Sequence, residues 1–436
     1  MNMASDSLKQ EPQTANPNSD LVQSMRFLED VIDILQNYSV STGQMRITLE
    51  GIAHGLGLHG QFFITPDYVQ AVVWGANKDL QQTYMSISPS GNYNLSIVAE
   101  VDKIVDEVIT GKISVTEGRH RISKIDTRAG YSDLLVALAF VLCGAGFSLI
   151  IGGSIRDMFL AGFVSLFPYV ITRIAVKNHF FTLLNELLSA LSVTLVTIIL
   201  ANMIPGFNMN VVIFGALVTL IPGFSLTMAS SEIVNKNSIS GLIWLTKAIL
   251  SAFQLVGGYA MGSYFGASLG FDVIMQSPQA SIPPVWLWFA VVFLVYGLGI
   301  TMNVAHRSMW AVILGGMAVW GAMQIGNLMG FWQGTFMGAA AMMLFAHWVY
   351  MRFKLPNIVI LLPCVMLLVP GLSALQALYI GGEVGIMQGF EEFYNVLVLV
   401  ASIIGGVVIG GTLVNPRHTL TRKYLEMIRN HSKKEG

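Results

Sequence analysis

Beyond Tyr131 the chain runs as a series of apolar stretches, each close to the roughly 20 residues a helix needs to cross a bilayer. The first series lies at 132–153, 157–175, 180–203, 207–228 and 241–266. A second follows a Pro-containing connector, at 285–304, 308–326, 328–350, 356–378 and 393–415. About ten crossings leave few folds open, because every backbone N–H and C=O in hydrocarbon must find a partner inside the protein. Charged residues make up 11% of the chain, against about a quarter in soluble proteins. Most of the carboxylates fall in the first 130 residues. The sequence therefore predicts an all-α polytopic membrane protein of two five-helix units, preceded by a small cytoplasmic α+β domain.

The segments follow from these shifts in composition. Residues 1–20 read as a disordered leader, polar and without the apolar core of a secretory signal. The α+β domain takes 21–130, the first membrane unit 131–267, the connector 268–284, the second unit 285–416 and a basic tail 417–436. Within the domain, helices are expected at 21–37, 44–56, 95–109 and 116–125. Gln61–Ile64 and Tyr68–Trp74 should form a hairpin about Thr65-Pro66-Asp67, with Thr83–Ile87 as a third strand.

The basic residues give an independent check. Arg173 with Lys177, Lys236, Arg307, and Arg352 with Lys354 fall in alternate connections, while the intervening ones hold Arg156 alone. By the positive-inside rule this places the domain and both termini in the cytoplasm, and we expect a multi-pass protein of a bacterial inner membrane. A net charge of −1 gives no field to recruit nucleic acid. Cys143 and Cys364 sit far apart in apolar runs, which argues against a disulfide framework or thiolate metal site. His54, His59 and Asp67 lack any HExxH, CxxC or GxSxG context, and no Walker lysine motif occurs. Neither an enzyme nor a cofactor is expected, and those three residues read as structural or regulatory.

A repeat points to function. One fixed ungapped offset lays Pro222-Gly223-x-Ser225 on Pro370-Gly371-x-Ser373. It also lays Ala229 on Ala377, Gly241 on Gly389, Gly257-Gly258 on Gly405-Gly406 and Gly262 on Gly410. Units with an odd number of spans must enter the membrane from opposite sides, so duplication implies inverted repeats, a common build for secondary transporters. Each Pro-Gly pair falls in the fourth span of its unit, where Pro removes a donor and Gly permits a non-helical turn. Matched interruptions mark Pro222, Gly223, Ser225, Pro370, Gly371 and Ser373 as candidate substrate-binding residues. The competing reading is a structural kink with each Ser bonded back to its own helix.

Glu186, about two turns inside the third span, is a candidate for a substrate ammonium or a proton, unless it lies near enough to the interface to stay hydrated. Glu232 shares the proton-coupling reading, with a stronger tilt toward the loop. Gln254, Gln324, Asn327, Gln333, Gln376 and Tyr379 suit hydrogen bonds between helices. Lys247 is expected to snorkel to the cytoplasmic interface and His347 to be packed. Trp286, Trp288, Trp310, Trp332 and Trp348 mark an aromatic belt at the span ends.

Short motifs add a family resemblance. Arg46-Ile47-x-x-Glu50-Gly51-Ile52-Ala53, Gly55-Leu56-Gly57, Leu220-Ile221-Pro222-Gly223 and Gly241-Leu242 resemble the longer module of the threonine/serine exporter family. Leu362-Pro363 and Val369-Pro370-Gly371 resemble its short partner module, here fused into one chain. The resemblance implies proton-driven efflux of threonine and serine. Export of a dicarboxylate such as succinate, which the separate modules of some bacteria have been linked to, stays open, as does a membrane-tethered sensor. The partners so implied are a small solute, protons and lipid, with a homo-oligomer as a further candidate.

Overall fold

A computed structural model describes residues 17–38, 42–75, 81–87, 93–126, 130–204, 206–271, 282–368 and 386–413. The N-terminal unit opens with helices α1 (Pro17–Asn37) and α2 (Thr42–Gly55). Three strands follow, β1 (His59–Ile64), β2 (Tyr68–Trp74) and β3 (Gln81–Ile87), paired antiparallel in that order. Helices α3 (Leu95–Ile109) and α4 (Val115–Ser123) complete it. Helix α1 begins at Pro17, inside the stretch assigned to the leader, since Pro at a helix start costs no hydrogen bond.

The β1–β2 turn is fixed by Thr65, whose N–H donates to the Tyr68 carbonyl at 2.9 Å while its hydroxyl accepts the Tyr68 N–H at 3.0 Å. That register sends Phe62, Ile64, Val69, Ala71 and Val73 to one face. They close against Phe27, Leu28, Val31 and Ile32 of α1, Leu49 and Ile52 of α2, and Val101 and Ile104 of α3. Each such side chain contributes about 1.5–3 kcal/mol on burial, enough for a core separate from that of the membrane helices.

The first membrane half consists of α5 (Asp133–Ile150), α6 (Ile155–Val164), α7 (Leu166–Ala175), α8 (His179–Leu183), α9 (Asn185–Met203), α10 (Met209–Leu217), α11 (Gly223–Val234) and α12 (Ser238–Ser268). The second consists of α13 (Pro284–Thr301), α14 (Met309–Asn327), α15 (Phe331–Phe353), α16 (Ile358–Val365) and α17 (Ile386–Leu413). Among the described residues, seven helical segments are long and apolar enough to span a membrane. Helix α15, of 23 residues, mixes Gln333, His347 and Arg352 into its run. The stretch 180–203 proves to be split at Leu184, so Glu186 lies in the first turn of α9 rather than two turns inside a span.

Glycines set how the helices cross, because close backbone approach is what holds helices together in lipid. A Cβ on Gly146 of α5 would come within 2.5 Å of the Ala290 carbonyl and 2.9 Å of the Leu294 nitrogen on α13. A Cβ on Gly297 of α13 would come within 2.7 Å of the Ala139 carbonyl and 3.2 Å of the Cys143 nitrogen on α5. The contacts are reciprocal, with Gly146, Ala139 and Cys143 taking the parts that Gly297, Ala290 and Leu294 take on the other helix. As one helix is followed forward the other is met backward, so α5 and α13 run antiparallel.

The pairs α9/α12 and α15/α17 share another crossing. Gly258 abuts the Leu187 carbonyl, Ala190 Cβ and the Leu191 nitrogen, and Gly406 abuts the Phe336 carbonyl, Ala339 Cβ and the Ala340 nitrogen. One turn on, Gly262 meets the Leu191 carbonyl and Thr194, and Gly410 meets the Ala340 carbonyl and Met343. Within each pair the helices run parallel, and the sequence matches Gly258/Gly406 and Gly262/Gly410 correspond to matched contacts, whereas Gly257 meets nothing within 4 Å and Gly405 meets Phe336.

Candidate functional site: an interrupted span

The fourth apolar stretch of the first half is two helices. Asn208 caps α10, its side-chain oxygen accepting the N–H groups of Asn210 at 3.1 Å and Val211 at 3.3 Å. Asp157, fully buried at the start of α6, accepts the backbone N–H of Asn208 at 2.7 Å and of Ser154 at 2.6 Å. It ties the α5–α6 turn to the base of the interrupted span. Sequence reading passed over it, although Ser154-x-x-Asp157 has the spacing of a capping box.

Helix α10 stops at Leu217, whose carbonyl accepts both the Leu220 N–H at 2.8 Å and the Ile221 N–H at 3.2 Å. Pro222 has no N–H to offer the Val218 carbonyl, so the helical ladder lapses. The Gly223 N–H turns back to the Ile221 carbonyl at 2.8 Å, and α11 restarts with the Leu226 N–H bonded to the Pro222 carbonyl at 3.0 Å. Pro222 and Gly223 are buried and Ser225 is half-buried in the first turn. Thr227 and Ser230 donate to carbonyls of their own helix, at 2.9 and 3.0 Å, whereas Ser225 makes no such bond among the described residues. The leading N–H groups of α11 give the break a partial positive charge.

Aromatic rings surround this point. Phe224 meets Trp244 of α12 edge-on at 5.6 Å between centroids, and Tyr93 from the N-terminal unit edge-on at 5.6 Å. The Thr219 hydroxyl and the Trp244 indole nitrogen are buried without partners among the described residues. Such groups cost free energy until something satisfies them. A cavity of about 10 Å³ between α10 and α12, lined by Ile213, Leu217, Leu255 and Tyr259, has room for no more than a water. At the break itself the Thr219 oxygen is buried.

In the second half, α16 ends at Val365 and continues as a 3-10 turn, Met366–Leu368. Val365 is the residue that the fixed sequence offset lays on Leu217, so α10 and α16 end at equivalent positions. Pro370, Gly371 and Ser373, with Gln376 and Tyr379, lie outside the described residues. Helix α11 packs not only on α12 but also on α16 and α17, so the break lies where the two halves meet.

The two candidate carboxylates part company. Glu186 is half-buried and accepts the Ser251 hydroxyl of α12 at 3.2 Å. Glu232, 2% exposed in the last turn of α11, accepts the Thr42 N–H at 2.8 Å, the Thr42 hydroxyl at 2.5 Å and the Asn237 side-chain amide at 2.9 Å. A carboxylate at the first residue of α2 is held by that helix's free N–H groups and its dipole. Glu232 thus anchors the N-terminal unit. Lys247, expected to snorkel to the interface, pairs there with Asp67 of the N-terminal unit at 2.7 Å and lies over the Trp244 ring at 5.4 Å. Helix α12 allows this because its 31 residues reach about 46 Å, beyond the roughly 30 Å of hydrocarbon.

The remaining candidates fall into structural places. Cys143 and Cys364 are free and buried, each Sγ 3.7 Å from a carbonyl of a neighbouring helix. His59 stacks on Trp74 at 6.2 Å. Among the described residues no three His, Cys, Asp or Glu side chains gather as a metal site. Trp286, Trp332 and Trp348 stand 46%, 40% and 54% exposed on the bundle surface, where belt residues meet lipid.

Apolar helices crossing by glycine contacts, one of them interrupted at a buried Pro-Gly step, define a multi-pass membrane protein. Residues 30–266 match the family described as "Putative threonine/serine exporter", and residues 287–413 match that described as "Threonine/Serine exporter, ThrE". The chain belongs to the threonine/serine exporter family. It is similar to pheromone-regulated membrane protein 10 of Yarrowia lipolytica, 23% identical over 62% of this chain and 23% of that one. The protein of the same name from Kluyveromyces lactis is 20% identical over 67% of this chain and 31% of its own length. An uncharacterized protein of Schizosaccharomyces pombe is 22% identical over 66% and 36%. The chain thus spans between 23% and 36% of these fungal relatives. No solved structure matches it.

Proposed function

We propose that the protein is a secondary-active exporter of small polar amino acids, threonine and serine, working by alternating access of two inverted repeats. The observation that carries this reading is the interrupted span, whose second piece α11 packs against α16 and α17 of the other half. A transporter needs a polar site that either face of the membrane can reach, and a broken helix between two units is how such sites are built. The reciprocal antiparallel crossing of α5 and α13 supports oppositely oriented halves that rock about it.

On this reading the solute carboxylate sits at the start of α11, near Pro222, Gly223 and the Ser225 hydroxyl, and meets the unpartnered Thr219 and Trp244 groups. Pro370, Gly371 and Ser373 complete the site from the other half. Glu186 takes the ammonium or the driving proton. Glu232, bonded to Thr42 and Asn237, holds the N-terminal unit on the cytoplasmic side that the basic loops indicate. A dicarboxylate would need a second cationic partner.

Counterflow in proteoliposomes tests the reading. Labelled threonine should exchange saturably, with competition by serine and little by succinate, and Gly223→Leu should abolish the exchange. Competition by succinate alone would move the substrate class to dicarboxylates. Solute binding without any flux from folded protein would favour the sensor.

A further inference from the structure

The N-terminal unit reaches into the membrane bundle at one place. Leu95, 1% exposed, belongs to the core of the membrane helices and not to that of its own unit, and Tyr93 packs against the same core. The segment is held by the loop after α13, where the Leu95 N–H donates to the Met302 carbonyl at 3.0 Å and the Ser96 N–H to the Asn303 carbonyl at 3.0 Å. The Asn303 side-chain amide donates to the Tyr93 carbonyl at 3.4 Å, and its oxygen accepts the Tyr131 N–H at 3.4 Å at the start of α5. Asn303 adopts φ 51°, a left-handed conformation that Asn tolerates better than most residues. So fixed, Tyr93 lays its ring against Phe224, the second residue of α11 and immediate neighbour of the break. Burial also pushes its phenol up from the ordinary tyrosine range, so the ring stays neutral.

The backbone of Tyr93 therefore hangs from the second half while its ring closes on the first. The unit is also pinned to the first half, through Glu232 to Thr42, Arg46 to Asn237 at 3.3 Å, and Ser240 to the Ile64 carbonyl at 3.3 Å. A part that bridges both halves beside the interrupted helix must lose contact with one of them whenever they move apart there. We infer that the stack Tyr93–Phe224–Trp244 is the gate on the N-terminal side of the break, and that the N-terminal unit, tied to both halves, holds it shut. The inference rests on the transport reading for its purpose, but the gate can be tested without any solute.

The test is thiol labelling of Thr219→Cys at the break, by a membrane-impermeant maleimide applied from the side of the N-terminal unit. Cys143 and Cys364, both fully buried, set the background in the chain without the new thiol. Labelling of Thr219→Cys alone should be slow. Adding Tyr93→Ala should speed it by up to about tenfold, as loss of a buried aromatic contact implies, whereas Tyr93→Phe, which keeps the ring, should leave it slow. Phe224→Ala should act like Tyr93→Ala, and Thr42→Val, which loosens the anchor from outside the stack, should speed labelling if Phe224→Ala fails to fold. Fast labelling before any ring is removed, or an unchanged rate in folded Tyr93→Ala, would overturn the gate. Absence of counterflow with labelling that still responds to Tyr93 would sink the transport reading and leave the gate standing.

Discussion

The helix pairs α9/α12 and α15/α17 are built on one crossing and lined with different chemistry. Gly258 and Gly406 meet the same trio of carbonyl, Cβ and nitrogen, residue for residue, on α9 and α15. Yet the level that holds Glu186 bonded to Ser251 in the first pair holds Thr335 and Leu399 in the second, and Thr335 donates back to the Phe331 carbonyl at 3.3 Å. Close backbone approach can be copied because glycine needs nothing from its surroundings but room. A half-buried carboxylate needs a partner, and Ser251 gives Glu186 one in the first pair.

Overfilling either crossing is the harshest test of that equivalence. Gly258→Leu and Gly406→Leu should each cost about 3 kcal/mol, the upper end for overpacking, and lower the unfolding midpoint in detergent by similar amounts. A large loss in one and none in the other would break the likeness of the pairs. The chemical difference is sharpened by Glu186→Gln and Thr335→Val. Counterflow should fall only in the former, and an equal loss in both would leave the asymmetry without meaning.

The N-terminal unit also treats the halves differently, gripping the first through the side chains of Glu232, Asn237 and Lys247 and the second mainly through the main chain at Met302 and Asn303. Thr42→Val removes a hydroxyl from a buried carboxylate and should cost about 2 kcal/mol, read as a lower midpoint. No change would mean that the anchor lies elsewhere. Helix α3, which packs on α16 of the second half, adds a titrating group. Burial first, and the Asp106 carboxylate second, push Asp102 up to about 6. The folded chain then keeps a proton that the unfolded chain releases above about pH 4. Stability from this group is complete below that pH and drains away as pH rises through about 6. Asp102→Asn, neutral throughout, should gain on the native chain above pH 6 and match it below about pH 4, with unfolding midpoints across that range as the readout.

Much of this was legible in the sequence, for reasons that differ by element. The β1–β2 turn at Thr65-Pro66-Asp67 and stretches such as 132–153, 241–266 and 285–304 are written locally, in turn chemistry and hydropathy, and they emerge within a few residues of where they were expected, while 356–378 runs beyond the described residues. The break at Pro222 was legible too, since a missing N–H interrupts a helix in any context. Partnerships between distant segments were not. Nothing near Glu232 announces that its partner is Thr42, and Tyr93 reads as an ordinary linker aromatic until α11 and α12 bring Phe224 and Trp244 against it. Glu186 was set too deep because hydropathy runs on across Leu184, where the backbone divides α8 from α9.

The smallest expected effect concerns the ion pair between Asp67 and Lys247 in the grip on the first half. Asp67 and Lys247 are 46% and 34% exposed at the side chain, so water screens them, and an exposed pair of this kind is worth up to about 1 kcal/mol. Lys247→Met keeps the stem over Trp244 and removes only the charge, so its midpoint should move little and less in high salt. A shift as large as that of Thr42→Val would show the pair to be shielded, and would move the main anchor from the buried carboxylate at the end of α11 to the sheet turn on α12.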